Sequence, residues 1–432
     1  MTITPTVDGS RLLRRLAQFA SIGATPGGGV NRQALSIEDR RARRLLADIA
    51  GARSFLVYQD AAANLFIQRP GRQPDLAPLL IGSHLDSQPG GGKYDGALGT
   101  LSAFEVLEAL EDAGITTERT VEVVAWTNEE GSRFSPGCMG SMAFVAESLP
   151  DEWHEMTGAD GAPFPSELSA TLAALPDAEL RPLGHAVSAY VELHIEQGPI
   201  LERSGVAIGI VTAVQGTKWL DVCFTGEAAH AGTTPLPYRR DPMAAAVQAM
   251  AALQASVMQG DALARLTVGR IAVEPGSINV IPREVRFTVD IRHPEAGKLQ
   301  AMLQVVNAHC AAAAQEQGCT VTLTQRFDMP PGSFDKGVIE AISQACESCG
   351  ITSMPMVSGA FHDALFLARV APSAMIFVPC RDGISHNEAE FVPDENVILG
   401  ATALLHSALR LSAAGRGERG LSQQMPAESS VR

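Results

Sequence analysis

The stretch Gly82–Gly96, GSHLDSQPGGGKYDG, sets His84, Asp86 and Asp95 among five glycines and a proline, directly after the apolar run APLLI. In an extended segment alternate residues face one way, so His84 and Asp86 point together at the end of that run. A carboxylate beside an imidazole fixes its tautomer and makes it a better metal ligand. Glycines in the turn that follows would let the loop fold back and bring Asp95 over a small ion. Alone, the stretch also suits a solvated turn in which aspartate serves the turn itself.

Further segments repeat the chemistry. WTNEEGSRF follows another apolar run, and its adjacent carboxylates, Glu129 and Glu130, cannot both be comfortable there without a cation or a shared proton. Glu130 could hold metal while Glu129 stays free as a base. In YVELHIEQG, His194 shares a polar face with Glu192 and Glu196, either of which could simply satisfy it. RDGISHNEAEF places His386 in a loop after a strand-like run. Together His84, Asp95, Glu130, His194 and His386 would supply two N/O sites of three ligands each if Asp95 bridges both. Other candidates are His230 in GEAAHAGTTP, Asn279 in GSINVIP and Arg292 at the end of EVRFTVDIR. A surface ion pair with Asp290 is the plain alternative for the arginine.

Strands and helices must deliver these groups. RSFLVY, NLFIQ, PLLIGSH and TVEVVAWT read as strands and LSAFEVLEALEDAG as an amphipathic helix, which implies an α/β domain on a mainly parallel sheet. Ligands collect at the carboxyl ends of such strands, where HLD, NEE and HIE fall. From about residue 214 the order becomes β-α-β-β-α-β, a ferredoxin-like insertion, with Asp241 capping a helix that has Pro242 at its first position. The expected division is residues 1–213, an insertion at 214–328, a return at 329–414 and a disordered tail at 415–432. Residues 151–185 read as an insertion with short helices.

A chain of 432 residues is long enough for two cores, and its 33 Lys+Arg against 48 Asp+Glu give a net charge of −15. With no long basic run, nucleic acid and anionic membrane are excluded as partners. No secretory leader or membrane span is visible, so a cytoplasmic location is expected. Seven scattered cysteines fit reduced thiols, and the Cys346/Cys349 pair has no second CxxC to complete a zinc site.

These motifs, with ELHIEQGPILE, HAGTTPLPYRRD, DIRHP and SGAFHDA, resemble the M20-type metallopeptidase superfamily over nearly the whole chain, specifically its amidase and carbamoylase branch. The resemblance implies a dinuclear site in which His84, Asp95, Glu130, His194 and His386 bind two divalent ions of zinc, manganese, cobalt or nickel. It makes Glu129 the base and Asp86 the residue that orients His84. Gln197, Gln215, His230, Asn279, Arg292 and Gly359 would bind substrate, with His230 also stabilising the oxyanion. It further implies a homodimer in which the insertion dimerises and acts as a lid, and His230 and Asn279 reach the neighbouring subunit's site. HIEQGP favours the carbamoylase branch over peptidases, and Phe361, before the histidine of SGAFHDA, replaces the usual small residue and would narrow the pocket. The implied activity is hydrolysis of a linear ureido or amide C–N bond in a small carboxylate substrate. An N-carbamoyl-L-amino acid comes first, then allantoate or ureidoglycolate, then an aminoacylase or peptidase substrate. A catalytically silent binding protein is the alternative from another class.

Overall fold

The computed structural model describes residues 5–413, so the expected tail lies outside the described residues. Two compact units divide the chain: one runs to Thr212 and resumes at Phe334, and the other is Ala213–Ser333. In chain order, the first unit contributes α1 (Gly9–Ala20), α2 (Ile37–Ala52), β1 (Leu56–Gln59), β2 (Leu65–Arg69), β3 (Leu79–His84), α3 (Ala97–Asp112), β4 (Val121–Trp126), β5 (Ala189–Ile195) and most of β6 (Ile208–Val214), whose last two residues belong to the second unit. Next come β7 (Gly216–Thr225), α4 (Pro242–Val257), β8 (Arg265–Glu274), β9 (Glu284–His293), α5 (Ala296–Glu316) and β10 (Thr320–Met329). The return adds α6 (Lys336–Ser348), β11 (Ser373–Val378) and α7 (Asp394–Leu411).

A ten-stranded sheet among the described residues has β11, β5, β3 and β4 side by side and parallel at its centre. All four are buried along their whole length, as a parallel block covered on both faces requires. The flanks depart from the parallel expectation. β2 runs antiparallel to β4 and β1 to β2, while β6 is antiparallel to β11. The connection from β1 to β2 is only residues 60–64, where Asp60 accepts from the backbone N–H groups of Ala62 (2.9 Å) and Asn64 (3.0 Å). So short a link can close a hairpin but cannot cross over to a parallel neighbour.

Helix α3 is buried from Ala97 to Leu110, including two glutamates. Arg11 holds Glu105 through Nε and Nη2, both at 2.7 Å, and Arg15 and Arg53 pair with Glu108. This docks α1 on α3 and leaves few bare charges inside. Neither α1 nor α2 was among the expected elements. Their signals are present: Leu12, Leu16 and Phe19 form one buried stripe, and Ser36 caps α2 ahead of Glu38 and Asp39.

In the second unit the strand order is β8-β9-β7-β10, antiparallel throughout. Val222, Phe224, Phe287, Val289 and Ile291 meet Ala245, Leu253 and Val306 of α4 and α5 in one apolar core. Asp241 Oδ1 accepts from the N–H groups of Met243 (3.0 Å) and Ala244 (3.2 Å), fixing the start of α4.

Candidate metal centre

The parallel block presents its carboxyl ends together. His84 is the last residue of β3, Glu129 and Glu130 follow β4, His194 is next to last in β5, and His386 lies in the loop after β11. Asp95 arrives by the glycine-rich turn and immediately precedes Gly96, the cap of α3, which sits at φ +61°. A Cβ at Gly96 would fall on the His84 imidazole, so glycine is needed there both for backbone and for space.

Asp95 divides its carboxylate between two groups. Oδ1 is 3.1 Å from His194 Nε2 and 3.9 Å from His84 Nε2, while Oδ2 is 3.4 Å from His386 Nε2. His386 Nε2 is also 3.4 Å from Glu130 Oε2. The potential ligand atoms of His84, Asp95 and His194 lie within 4.8 Å of one another, as do those of Asp95, Glu130 and His386. The first group is fully buried; in the second, His386 is 51% exposed.

Supporting bonds orient these side chains. His194 Nδ1 bonds the Ile195 carbonyl at 3.0 Å, which turns Nε2 toward Asp95. Neither glutamate flanking His194 satisfies it. Glu192 takes Ser83 Oγ (2.7 Å) and the Ala364 N–H (3.0 Å), and Glu196 takes the N–H groups of Ile200 and Leu201, both at 2.8 Å. His84 Nδ1 bonds the carbonyl oxygen of Asp86 at 2.9 Å, with the carboxylate Oδ1 at 3.6 Å. The Asp86 carboxylate accepts instead from the backbone N–H groups of Glu129 (3.3 Å) and Glu130 (3.2 Å), tying the β3 loop to the β4 loop. Gln88 holds Glu130 through its backbone N–H (3.1 Å) and its amide (2.8 Å). Gln197 Nε2 is 3.2 Å from Asp95 Oδ2, beside His386.

The electrostatics are those of a carboxylate-rich pocket. Burial raises the carboxyl groups of Glu129 and Glu130 well above the ordinary range, and neighbouring acids add to it. Burial would also raise Asp95, but His194, His84 and His386 outweigh it and hold that carboxylate below its usual range. For His84, burial opposes the charge, yet Glu129, Asp86 and Glu130 together raise its pKa well above normal. His84 Nε2 is buried, makes no hydrogen bond and faces Glu129 Oε2 at 3.4 Å. An orphaned imidazole nitrogen among carboxylate oxygens is costly unless it binds something, and this N/O donor set fits divalent ions.

One neighbour was not singled out from sequence. His362 is buried with its ring centroid 4.6 Å from that of His194; Nε2 bonds Ser358 Oγ at 3.0 Å and Nδ1 has no partner. The histidine follows a strand end in SGAFHDA, the same signal that marked His84. Gly359 is exposed in that loop and Phe361 is half-buried. Gln215, His230, Asn279 and Arg292 belong to the second unit. There His230 pairs with Val280 across a two-stranded ribbon, and the Ala231 N–H donates to the Asn279 carbonyl at 3.0 Å. Arg292 grips Asp290, with Nη2 to Oδ2 at 2.8 Å, so the plain ion pair is present. Gln215 is buried.

Comparison with known proteins adds a second line. The model of "Peptidase family M20/M25/M40" matches residues 80–410. An N-carbamoyl-L-amino acid amidohydrolase of Geobacillus stearothermophilus is 38% identical over 409 residues, which is 94% of this chain and 99% of that protein. An allantoate amidohydrolase of Escherichia coli (strain K12) is 35% identical over 376 residues, 87% of this chain and 91% of that protein. Among solved structures, an amidase of the hydantoinase/carbamoylase family from Burkholderia multivorans superposes with a TM-score of 0.89 at 42% identity, covering 94% of this chain and 98% of that one.

Proposed function

The chain belongs to peptidase family M20/M25/M40, and from that premise we propose that it hydrolyses the carbamoyl C–N bond of an N-carbamoyl-L-amino acid, releasing the amino acid, carbon dioxide and ammonia. One observation carries the reading: Asp95 is shared between two ligand groups, and Glu129, which belongs to neither, stands beside them with Oε2 3.4 Å from His84 Nε2. The resemblance to carbamoyl amidohydrolases supports the choice of bond.

His84, Asp95 and His194 would hold one divalent ion, and Asp95, Glu130 and His386 the other. Ions in such positions supply Lewis acidity and make a water acidic enough to lose a proton near neutral pH. Glu129 would take a proton from the attacking water and return it to the amino-acid nitrogen as the carbamoyl C–N bond breaks, leaving a carbamate that breaks down to carbon dioxide and ammonia. Asp86 steadies Glu129 by accepting its backbone N–H. Arg292 has the planar guanidinium that suits a substrate carboxylate, which would have to share it with or displace Asp290. Two copies are proposed to pair through the second unit, and His230 and Asn279 to serve the substrate.

Ammonia release should be measured from N-carbamoyl-L-amino acids and from allantoate, using protein stripped of metal and reloaded with manganese or zinc. Release from the carbamoyl compounds supports the reading. Release from allantoate alone would replace it with the second reading, which the similarity to the E. coli enzyme favours. Full activity without metal would sink both.

A further inference from the structure

Four residues beyond His386, the chain places a carboxylate that none of the chemistry above uses. Glu390 is 3% exposed. Its Oε1 accepts two successive backbone N–H groups, those of Tyr94 (2.9 Å) and Asp95 (3.1 Å). Its Oε2 takes Ser385 Oγ at 3.1 Å, and that same hydroxyl is 3.2 Å from Asp95 Oδ2. A Cβ at Gly92 would overlap the Glu390 carboxylate, so the glycine turn is closed tightly around it. A carboxylate is an acceptor with room for several donors, and two consecutive N–H groups on one oxygen define the direction of the peptide between them.

We propose that Glu390 is a positioning residue for the metal centre, fastening the Asp95 loop to the His386 loop so that Asp95 is held at the span of a bridge. The proposal rests on the metal-centre reading above and deepens it. The covalent chain alone does not set this span, because Asp95 and His386 belong to loops nearly 300 residues apart in sequence. Ser385 supplies a single hydroxyl proton to two carboxylates, so the Glu390 clasp and the Asp95 side chain are coupled through one atom. A glutamine at 390 keeps the acceptor oxygen for both N–H groups and presents an N–H to Ser385, freeing the hydroxyl proton for Asp95. Alanine removes every contact, and aspartate, one methylene shorter, cannot reach both loops.

The test uses the full chain as wild type, E390A, E390D and E390Q. Manganese affinity is titrated on metal-free protein, and circular dichroism of the same samples checks the fold. Partners behind metal ligands are worth about 10–100-fold in metal affinity, so E390A and E390D should bind manganese that much more weakly, with E390Q within about threefold of wild type. A purely structural carboxylate would instead lower the thermal midpoint of the metal-free protein and leave affinity unchanged. Folded E390A with wild-type affinity overturns the proposal; if E390A does not fold, the same result for E390D overturns it. Wild type that binds no manganese, zinc, cobalt or nickel overturns the metal-centre reading itself, an outcome distinct from failure of the Glu390 role.

Discussion

Asp95 faces His194 at 3.1 Å with one carboxylate oxygen and keeps the other for His386, 3.4 Å away. The two histidines differ in access: His194 is 1% exposed and His386 is 51% exposed. Ion loss should follow that asymmetry. With the two ions of the proposed centre, limited chelation is expected to strip the position beside His386 first, leaving about one ion per chain, and His386→Ala should bind one ion fewer than wild type. Metal counting after timed chelation checks this; simultaneous loss of both ions contradicts it.

Glu129→Gln should reduce turnover by roughly 10²–10⁴-fold, the usual worth of a positioned base, while metal content stays at the wild-type level. If the variant loses metal, Glu129 is a ligand and the base has been misassigned.

Arg292→Ala should raise KM for carboxylate substrates by about tenfold or more, with kcat much less affected. The paired Asp290→Ala exchange tells whether the ion pair matters for folding alone. An unchanged KM in Arg292→Ala removes the arginine from substrate binding.

Acid stability should carry the mark of Glu122 on β4. Burial would raise this carboxyl, but hydrogen bonds from His185 and Arg181 outweigh it and bring it down to about 2 from an ordinary 4.5. Between those pH values the unfolded chain holds a proton that the folded chain does not, so stability rises with pH there. The contribution is complete above pH 4.5 and is lost as pH falls toward 2, an effect of about 3 kcal/mol. In Glu122→Gln the acid limb should flatten, and the half-buried Arg181 partner, 2.6 Å away in the native protein, should cost stability at neutral pH. Denaturant titrations from pH 2 to 7 read both; an acid limb of unchanged slope would exclude Glu122.

The candidate ligands were legible because each sits in a short motif at the end of an apolar run, and a strand's carboxyl end is where a parallel sheet gathers function. That nominated His84, Glu130, His194 and His386 as candidates, the plain readings of the single stretches being set aside only by their combination and by the family resemblance. Glu390 and Gln88 were not legible. Their work is to hold backbone N–H groups and side chains of distant loops, and nothing in HNEAEF or SQPG announces such a partner. His362 carried the signal of His84 but was quoted only for its neighbour Phe361. Helices α1 and α2 went unread although stripe and cap were both present, and the antiparallel flanks required attention to the length of the 60–64 link. Arg292 shows the opposite limit: sequence offered both an ion pair and a substrate grip, and the structure shows the ion pair with Asp290.

The strand order has a consequence for how the protein is made. In the finished sheet β11 lies between β5 and β6, pairing with both. While the chain emerges from a ribosome, β5 therefore waits with one buried, apolar edge unpaired until residues 373–378 appear. At roughly 5–20 residues per second that wait lasts about 10–40 s, and the whole second unit is synthesised within it. An open apolar edge is a template for pairing with other chains, so the nascent protein passes through a window in which that edge is exposed to its neighbours.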